Sequence, residues 1–268
     1  MSARTILGFT FLAACGAPSP SVPDAALHQL DAPGADAPRD APPLDAYEGP
    51  DLSCLGQPPP TTAPTTLPLD GKVFVVDHYQ IAPFAGATVT VHRRSDDSVL
   101  ATSTTSAADG TYTLSATTNG TALDAYLAIT AAGEVPVRID PGEPLTTGLF
   151  GLALVAPADE ILRWYADAGA TYSADAATMI AIAVDCNHAS IAATTMAVAP
   201  PAPLTYYNAD HWDPTAASSD KGYALLAPAH ANETITTTWN GHTSPGHAFA
   251  VPAGTLTLAM VSPYATGP

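Results

Sequence analysis

PFAGATVTV at residues 83–91 and TSAADGTYTL at residues 105–114 decide the fold class of this 268-residue chain. In the first stretch apolar and polar residues alternate with a period of two, which is typical of a half-buried strand. In the second, Asp109-Gly110 marks a hairpin turn, because glycine accepts a positive φ without steric cost. Similar short segments follow at regular spacing up to Val155. The sequence therefore predicts a β-sandwich over 70–156.

The segment 179–264 repeats this order in degenerate form. Residues 190–198 align with 83–91, Val184-Asp185 aligns with Val76-Asp77, and 220–225 aligns with the Asp-Gly hairpin. Ala193 stands where the first copy has the corner glycine, Gly86. We therefore expect a second β-sandwich over 179–264.

The segment 157–178 between the two copies breaks the strand pattern. Asp159 and Glu160 lie where a first helical turn would begin, and acidic residues there complement the helix dipole. Ile161, Leu162 and Tyr165 fall on one helical face. A short helical connector is predicted here, with Trp164 helping to fill its contact with the sandwiches.

The quoted motifs resemble the carboxypeptidase regulatory-like domain, which has a transthyretin-like fold. Gly86, Asp109, Gly110 and Tyr112 match that pattern position by position. The resemblance is specific over 70–116 and loose over 179–262. It implies an all-β fold class of two transthyretin-like (Ig-like) β-sandwiches joined by a short helix. It also implies an accessory module without catalytic residues, of a kind found beside peptidases, in transport receptors and in surface lipoproteins.

The N-terminus is typical of an export signal. Arg4 precedes a short apolar stretch, and Leu12-Ala13-Ala14-Cys15 resembles the bacterial lipobox. We expect a lipoprotein signal peptide at 1–14 and acyl chains on Cys15, with Gly16 indicating the outer membrane. An ordinary cleaved signal, or a buried N-terminal segment with a chance cysteine, is the alternative.

The segment 15–69 is rich in proline, alanine and aspartate. It is predicted to be a disordered, extended tether, because its few aliphatic residues bury too little apolar surface to offset the ordering entropy. Low complexity without a role is equally compatible. Over the whole chain, 8 Lys and Arg face 25 Asp and Glu, giving a net charge of −17. Such a charge makes nucleic acid an improbable partner.

Cys54 and Cys186 remain after Cys15 is assigned to lipid. In an exported protein these two cysteines form one candidate disulfide, which would fix the end of the tether against the second sandwich. The alternative is a buried Cys186 that acts as a small apolar residue and a free Cys54.

Residues that carry chemistry are scattered, and no catalytic, metal-binding or cofactor-binding motif is present. No catalytic residue, metal or cofactor is therefore predicted. The later histidines are His211, His230, His242 and His247, and the turn carboxylates of the first sandwich are Asp77, Asp96, Asp97 and Asp109. The preferred interpretation is that both sets are exposed side chains that act independently of one another.

Tyr206, Tyr207 and Trp212 form the one candidate ligand-binding cluster. Exposed aromatic rings can stack on sugars, whereas buried ones would cover the end of the sandwich core. The sequence favours a membrane-anchored envelope lipoprotein with a non-catalytic display or adhesion role. Its partners would be the lipid bilayer, through the acyl chains, and a glycan or protein. A carbohydrate-binding surface module is the first alternative, and a metal-dependent enzyme using His242 and His247 is the second.

Overall fold

The computed structural model describes residues 49–102, 104–148 and 152–265. The chain divides into two units, Met1–Pro50 and Asp51–Pro268, and the described helix and strands all belong to the second. The predicted signal peptide, Cys15 and most of the predicted tether lie outside the described residues. Within the described part, no helix has the length and apolar character needed to cross a membrane.

The described chain is built mainly from short strands, which confirms the predicted all-β fold class. In chain order the elements are β1 (Thr66–Pro68), β2 (Gly71–Asp77), β3 (Gln80–Pro83), β4 (Thr88–Arg93), β5 (Thr104–Thr105), β6 (Thr111–Tyr112), β7 (Ser115–Thr117), β8 (Ala125–Thr130), β9 (Val137–Asp140), β10 (Leu152–Val155), α1 (Ala158–Asp167), β11 (Ala177–Ala183), β12 (Thr195–Ala199), β13 (Leu204–Asn208), β14 (His211–Asp213), β15 (Tyr223–Ala229), β16 (Asn232–Trp239), β17 (His242–Thr243), β18 (His247–Ala250) and β19 (Leu256–Val261).

The first half contributes two sheets. One has the order β10-β2-β3, with β6 also pairing with β2, and β10 runs parallel to β2. The other follows the order β9-β8-β4-β5. Alternate residues point inward, so that Val73, Val89 and Val91 are fully buried while the intervening threonines of β4 are half-buried. This alternation is the one that the sequence predicted.

The second half has the same two-sheet arrangement. One sheet follows the order β14-β13-β15-β11-β19, and the other consists of β12, β16, β17 and β18. Between them lies a continuous apolar core that includes Met179, Ile235, Phe249 and Val261. The second sandwich therefore closes its own core, although its sequence departs from the pattern of the first.

Equivalent backbone hydrogen bonds relate the two halves as an internal repeat. The bonds are Val73 N to Gly110 O and Phe84 N to Val73 O in the first half, and Ala183 N to Gly222 O and Ile191 N to Ala183 O in the second. They equate Val73 with Ala183, an offset of 110 residues, whereas the sequence alignment of Val76 with Val184 implied 108. The first strand of the repeat was thus aligned two residues out of register.

The turn conformations of the repeat survive where the sequence has changed. Gly86 has φ +87° and its counterpart Ala193 has φ +56°, so the corner keeps a left-handed backbone without glycine. Gly110 and Gly222 both have φ +80°. At these two positions glycine is required, because a Cβ would lie 2.4 Å from the Val73 oxygen or 2.5 Å from the Ile191 oxygen.

The two halves also share a sheet, which the sequence did not indicate. β19 of the second half pairs in parallel with β9 of the first, from Leu256↔Val137 to Ala259↔Asp140. The result is one nine-stranded sheet with the order β14-β13-β15-β11-β19-β9-β8-β4-β5. The two predicted sandwiches are therefore fused edge to edge through this ladder as well as connected through α1.

Residues 51–69 correct the predicted extent of the tether. Leu67 and Leu69 are buried, and β1 pairs with β7 in register Leu67↔Ala116. The high proline content of this stretch concealed two leucines, separated by Pro68, whose side chains pack into the first half. The folded unit therefore begins near Asp51 and not at residue 70.

The helix lies inside the predicted 157–178 connector, but it buries a different face. Ile161, Trp164 and Tyr165 are buried together with Glu160. Leu162, which the sequence placed on the buried face, is half exposed at 51%. The reason is the spacing, since Trp164 and Tyr165 follow Ile161 by three and four residues and leave Leu162 on the flank.

Candidate functional site

Glu160 is a fully buried carboxylate in the first turn of α1. One oxygen, Oε1, accepts hydrogen bonds from Trp164 Nε1 at 2.9 Å and from the backbone N–H of Tyr79 at 3.2 Å. The other, Oε2, accepts from the backbone N–H of His78 at 2.8 Å and lies 3.1 Å from Arg163 Nη1. We call Asp77, His78, Tyr79, Glu160 and Trp164 the Glu160 cluster.

The partner of Glu160 is the tight turn between β2 and β3. His78 and Tyr79 both have left-handed backbones, with φ +52° and +59°, as a two-residue hairpin turn of type I′ requires. Residues other than glycine rarely adopt this backbone conformation. Two successive N–H groups of the turn point at the Glu160 carboxylate, and this charged acceptor stabilises the turn. The Tyr79 hydroxyl in addition donates a hydrogen bond to Asp167 of the same helix.

The Glu160 cluster contains the single group of potential metal ligands that the described residues bring together, namely Asp77, His78 and Glu160 within 4.8 Å. A carboxylate offers about four acceptor positions. Glu160 already uses its oxygens for three N–H donors and an arginine, so a cation would have to displace Arg163. His78 Nδ1 lies 2.6 Å from Asp77 Oδ1, and both side chains are largely exposed. The arrangement is suited to anchoring a turn and poorly suited to holding a metal.

The aromatic residues predicted as a sugar-stacking surface lie inside the protein. Tyr206, Tyr207 and Trp212 are each less than 10% exposed. The Tyr206 hydroxyl accepts a hydrogen bond from Met196 N at 2.8 Å, which joins β13 to β12 in the facing sheet. Of the two alternatives that the sequence left open, the structure therefore shows the buried one, because the core of the second sandwich and α1 cover these rings, and there is no exposed platform among them.

Tyr207 and Trp212 extend the Glu160 cluster into the second half. Trp212 packs edge to face against Tyr207 at 5.2 Å and against Trp164 at 6.1 Å between ring centroids. Tyr79 contacts Tyr207 at 6.4 Å. Aromatic pairs of this geometry contribute about 0.5–1.5 kcal/mol each beyond the area they bury. The hairpin of the first half, the helix and the β13–β14 hairpin thus pack on one another.

The four later histidines are not brought together as a metal site within the described residues. His247 is buried and its Nδ1 lies 3.2 Å from the Gly142 oxygen, whereas His242 is exposed and stacks on Trp239 at 6.3 Å. His230 lies 2.9 Å from Glu233 Oε1, and His211 lies in β14. The geometry gives no support to the alternative of an enzyme that binds a metal through His242 and His247.

Two of the turn carboxylates of the first sandwich, Asp96 and Asp109, stabilise their own loops. Asp109 accepts from the N–H and hydroxyl of Thr111, and these bonds lower the pKa of its carboxyl group. Asp96 does the same with Ser98, which lowers the pKa of Asp96. Asp97 accepts from the Tyr126 hydroxyl at 3.1 Å. The bonds of Asp96 and Asp109 are thus local caps of turns, whereas the bond of Asp97 reaches β8.

The segment 51–57, which we call the clasp segment, is the second notable site. Cys54 and Cys186 form a disulfide with their Cα atoms 5.8 Å apart. Next to it, the backbone N–H of Cys186 donates to the Asp51 oxygen at 2.8 Å, and Gly56 N donates to the Pro263 oxygen at 2.9 Å. The clasp segment is thereby attached to the loop after β11 and to the chain after β19.

A buried carboxylate organises the loop that receives the clasp segment. Asp185 is 6% exposed, and its Oδ1 accepts from the N–H groups of Asn187 and Ala189 at 2.8 and 2.9 Å. Its Oδ2 accepts from the N–H of Asp51 at 3.1 Å. One side chain therefore both shapes the 185–189 loop and fixes the start of the clasp segment.

Sequence reasoning missed the roles of Glu160 and of Asp185. The sequence predicted for Glu160 only a place in the first helical turn, where an acid complements the helix dipole, and no local signal identifies it as a buried anchor. Asp185 carried a usable signal, because Asp-Cys-Asn-His is rich in turn-forming residues directly after an apolar strand.

No family model matches the chain, and no curated protein matches it either. Solved structures give distant similarities. The Bacillus anthracis TIE protein is 11% identical with a TM-score of 0.23, and the similarity covers 73% of this chain but 34% of that one. The shaft pilin SpaA from Lactobacillus rhamnosus GG is 11% identical with a TM-score of 0.23, covering 76% and 100%. GBS52, the minor pilin of Streptococcus agalactiae, is 10% identical with the same TM-score, covering 75% and 97%. These similarities assign neither a family nor a function.

Removing the charge of Glu160 should destabilise the protein. Glu160→Gln replaces one acceptor oxygen with an NH₂ group that faces existing donors, and we expect a loss of about 3 kcal/mol in the free energy of unfolding. Urea denaturation followed by tryptophan fluorescence measures it. Asp159→Asn, at the exposed neighbouring position, is the matched control and should change the value by less than about 0.5 kcal/mol. Equal effects of the two substitutions would show that Glu160 is not an anchor.

Alkaline pH should destabilise the fold through its buried tyrosines. Burial raises the pKa of Tyr79 and of Tyr207, and nearby carboxylates raise both further. In the unfolded chain tyrosine ionises near pH ~10. The contribution of these two tyrosines to the free energy of unfolding is therefore fully present below that pH. It falls as the pH rises above it, because the unfolded state then releases protons that the folded state keeps. The urea midpoint should decrease between pH ~9 and pH ~11.5, and the tyrosinate absorbance of Tyr79 and Tyr207 should appear only when the protein unfolds. Ionisation of all tyrosines near pH ~10 in the folded protein would contradict this.

The disulfide should be present in the exported protein and should stabilise it. In a Cys15→Ser background, the denatured, unreduced protein should show no free thiol. The further double substitution Cys54→Ser, Cys186→Ser should lower the free energy of unfolding by about 4–5 kcal/mol, because the bond closes a loop across 132 residues. Two free thiols before reduction would contradict the bond.

Proposed function

We propose that this chain is an acylated lipoprotein of the bacterial cell envelope, whose folded unit is a non-catalytic display or adhesion module. Cys15 would carry the acyl chains, 16–48 would act as the spacer, and Asp51 to Ala265 would be the displayed body. The observation that carries the proposal is the Cys54–Cys186 bond. Disulfides persist in exported proteins and are rare in the cytosol, so this bond agrees with the export motif at the N-terminus.

Anchoring by lipid fits the energetics of the proposed attachment. Each buried CH₂ contributes about 0.8 kcal/mol, and more than one chain is needed for durable membrane binding. The net charge of −17 repels the protein from anionic headgroups, which favours a body held away from the bilayer. Gly16 after the lipid-bearing cysteine supports the outer membrane as the destination.

A non-catalytic role is supported by how the polar side chains are used. Glu160, Asp185, Asp96 and Asp109 all accept hydrogen bonds that stabilise turns. With Tyr206, Tyr207 and Trp212 buried, a protein partner fits the displayed body better than a glycan stacked on these rings.

The surface of the displayed body suits a protein that remains separate on a crowded membrane. Among the described residues, Val99 and Leu162 are the large apolar side chains that are markedly exposed. The strands at the ends of the nine-stranded sheet, β14 and β5, are three and two residues long. Short edge strands and a surface without apolar patches disfavour aggregation through sheet edges.

Acylation of Cys15 tests the proposal directly. Cells that express the full chain would be grown with an alkyne fatty acid, and the labelled protein would be followed through membrane fractionation. We expect label and outer-membrane recovery for the natural chain and loss of both for Cys15→Ser. Cys54→Ser is the matched control and should keep the label. Unlabelled natural protein, or label that persists in Cys15→Ser, would overturn the proposed anchor.

A further inference from the structure

We propose that the Cys54–Cys186 bond makes the clasp segment a force-transmitting attachment. Tension applied on the N-terminal side would pass through the bond directly to β11 and would bypass the first sandwich. This inference rests on the proposed function, because a tethered body experiences tension at its attachment. It assigns to the disulfide a mechanical role in addition to stabilising the fold.

The bond joins the clasp segment to the interior of the sheet. Cys186 follows the end of β11 by three residues. β11 lies inside the nine-stranded sheet, antiparallel to β15 on one side and parallel to β19 on the other. The ladder with β19 runs over six register pairs, from Thr178↔Leu256 to Ala183↔Val261. A force on Cys186 is therefore shared by two ladders at once.

The chain beyond Cys54 offers a weaker attachment. Its next strand is β1, which has three residues and pairs with β7 in a two-stranded sheet. Without the bond, tension would reach this short ladder first and would peel it before loading the larger sheets. With the bond, the shorter covalent path leads through Cys186, and the loop between Cys54 and β1 carries little load.

Three hydrogen bonds between Asp51 and residues 185–187 follow the same path, while Gly56 and Gln57 bond to the chain after β19. Asp51 accepts from Cys186 N through its backbone oxygen and donates through its N–H to Asp185. Asn187 Nδ2 donates to Asp51 Oδ2 at 3.2 Å. The three bonds of Asp51 connect the clasp segment to the loop after β11, so they distribute force onto the strand that the disulfide loads.

The topology makes the resistance depend on direction. Ladder hydrogen bonds lie across the strands, so a force along two neighbouring strands in opposite senses loads all of them together, whereas a force that separates the strand ends breaks them one at a time. Ala253 precedes the start of β19, and Ala265 follows its end. Pulling β11 from Cys186 against Ala253 therefore shears the β11–β19 ladder, while pulling against Ala265 unzips it.

Single-molecule force measurements on the full chain test this directional resistance. One handle is attached upstream of Asp51, and the second is attached through a non-cysteine residue at position 253 or at position 265. At equal loading rates we expect the unfolding force to be about twofold higher with the handle at 253, because the ladder is sheared. Equal forces for the two positions would overturn the proposal.

The bond itself is tested in the same two geometries. After reduction, or in the Cys54→Ser, Cys186→Ser variant, the advantage of the handle at 253 should disappear. A first unfolding event at lower force should then appear. Full unfolding should also release about 470 Å more chain than in the bridged protein, at about 3.6 Å for each of the 132 bridged residues. An unchanged force at 253 after reduction would show that the bond does not carry the load. Because the purified protein is used, this result is independent of the labelling test of the anchor.

Discussion

The fold depends on the parallel ladder between β9 and β19. Each half of the chain builds a two-sheet sandwich, and each sandwich ends in a strand whose outer N–H and C=O groups need partners. Pairing Val137–Asp140 with Leu256–Ala259 satisfies both edges in one step. The pairing joins strands far apart in sequence, so it imposes a high loop-closure cost on folding, which the buried residues around it must offset. The disulfide closes a different loop, between Cys54 and Cys186, and fixes the clasp segment at the end where β11 and β19 finish.

The Glu160 cluster fixes the connector between the same two halves. A helix of ten residues is marginal alone, and most of its stability comes from packing. Here one carboxylate binds two N–H groups of a left-handed turn, and an aromatic contact chain continues from Trp164 to Trp212 and Tyr207. The connector is therefore held by the β2–β3 hairpin of the first half and by the β13–β14 hairpin of the second.

Local features of the fold were predictable and long-range ones were not. The alternation in 88–93 and the Asp109-Gly110 turn act within a few residues, and the sequence identified both. The repeat was recognised from the glycines and small residues at its corners. The first strand has no distinctive residue, and its alignment was therefore wrong by two positions. The exposure of Tyr206, Tyr207 and Trp212 depends on what covers them, and α1 comes from a different part of the chain. Residues 51–69 were misjudged because proline content outweighed the two leucines that decide whether the segment packs.

The shared sheet has a consequence for the evolution of this chain. A duplicated domain normally remains modular, so that each copy can be lost, exchanged or multiplied by recombination. Once β9 and β19 pair, either copy on its own would expose a strand edge with unpaired backbone N–H and C=O groups. A further copy could not be added at the β9–β19 junction. The two halves therefore form a single inherited unit, in which the second half keeps the left-handed corner at Ala193 without glycine.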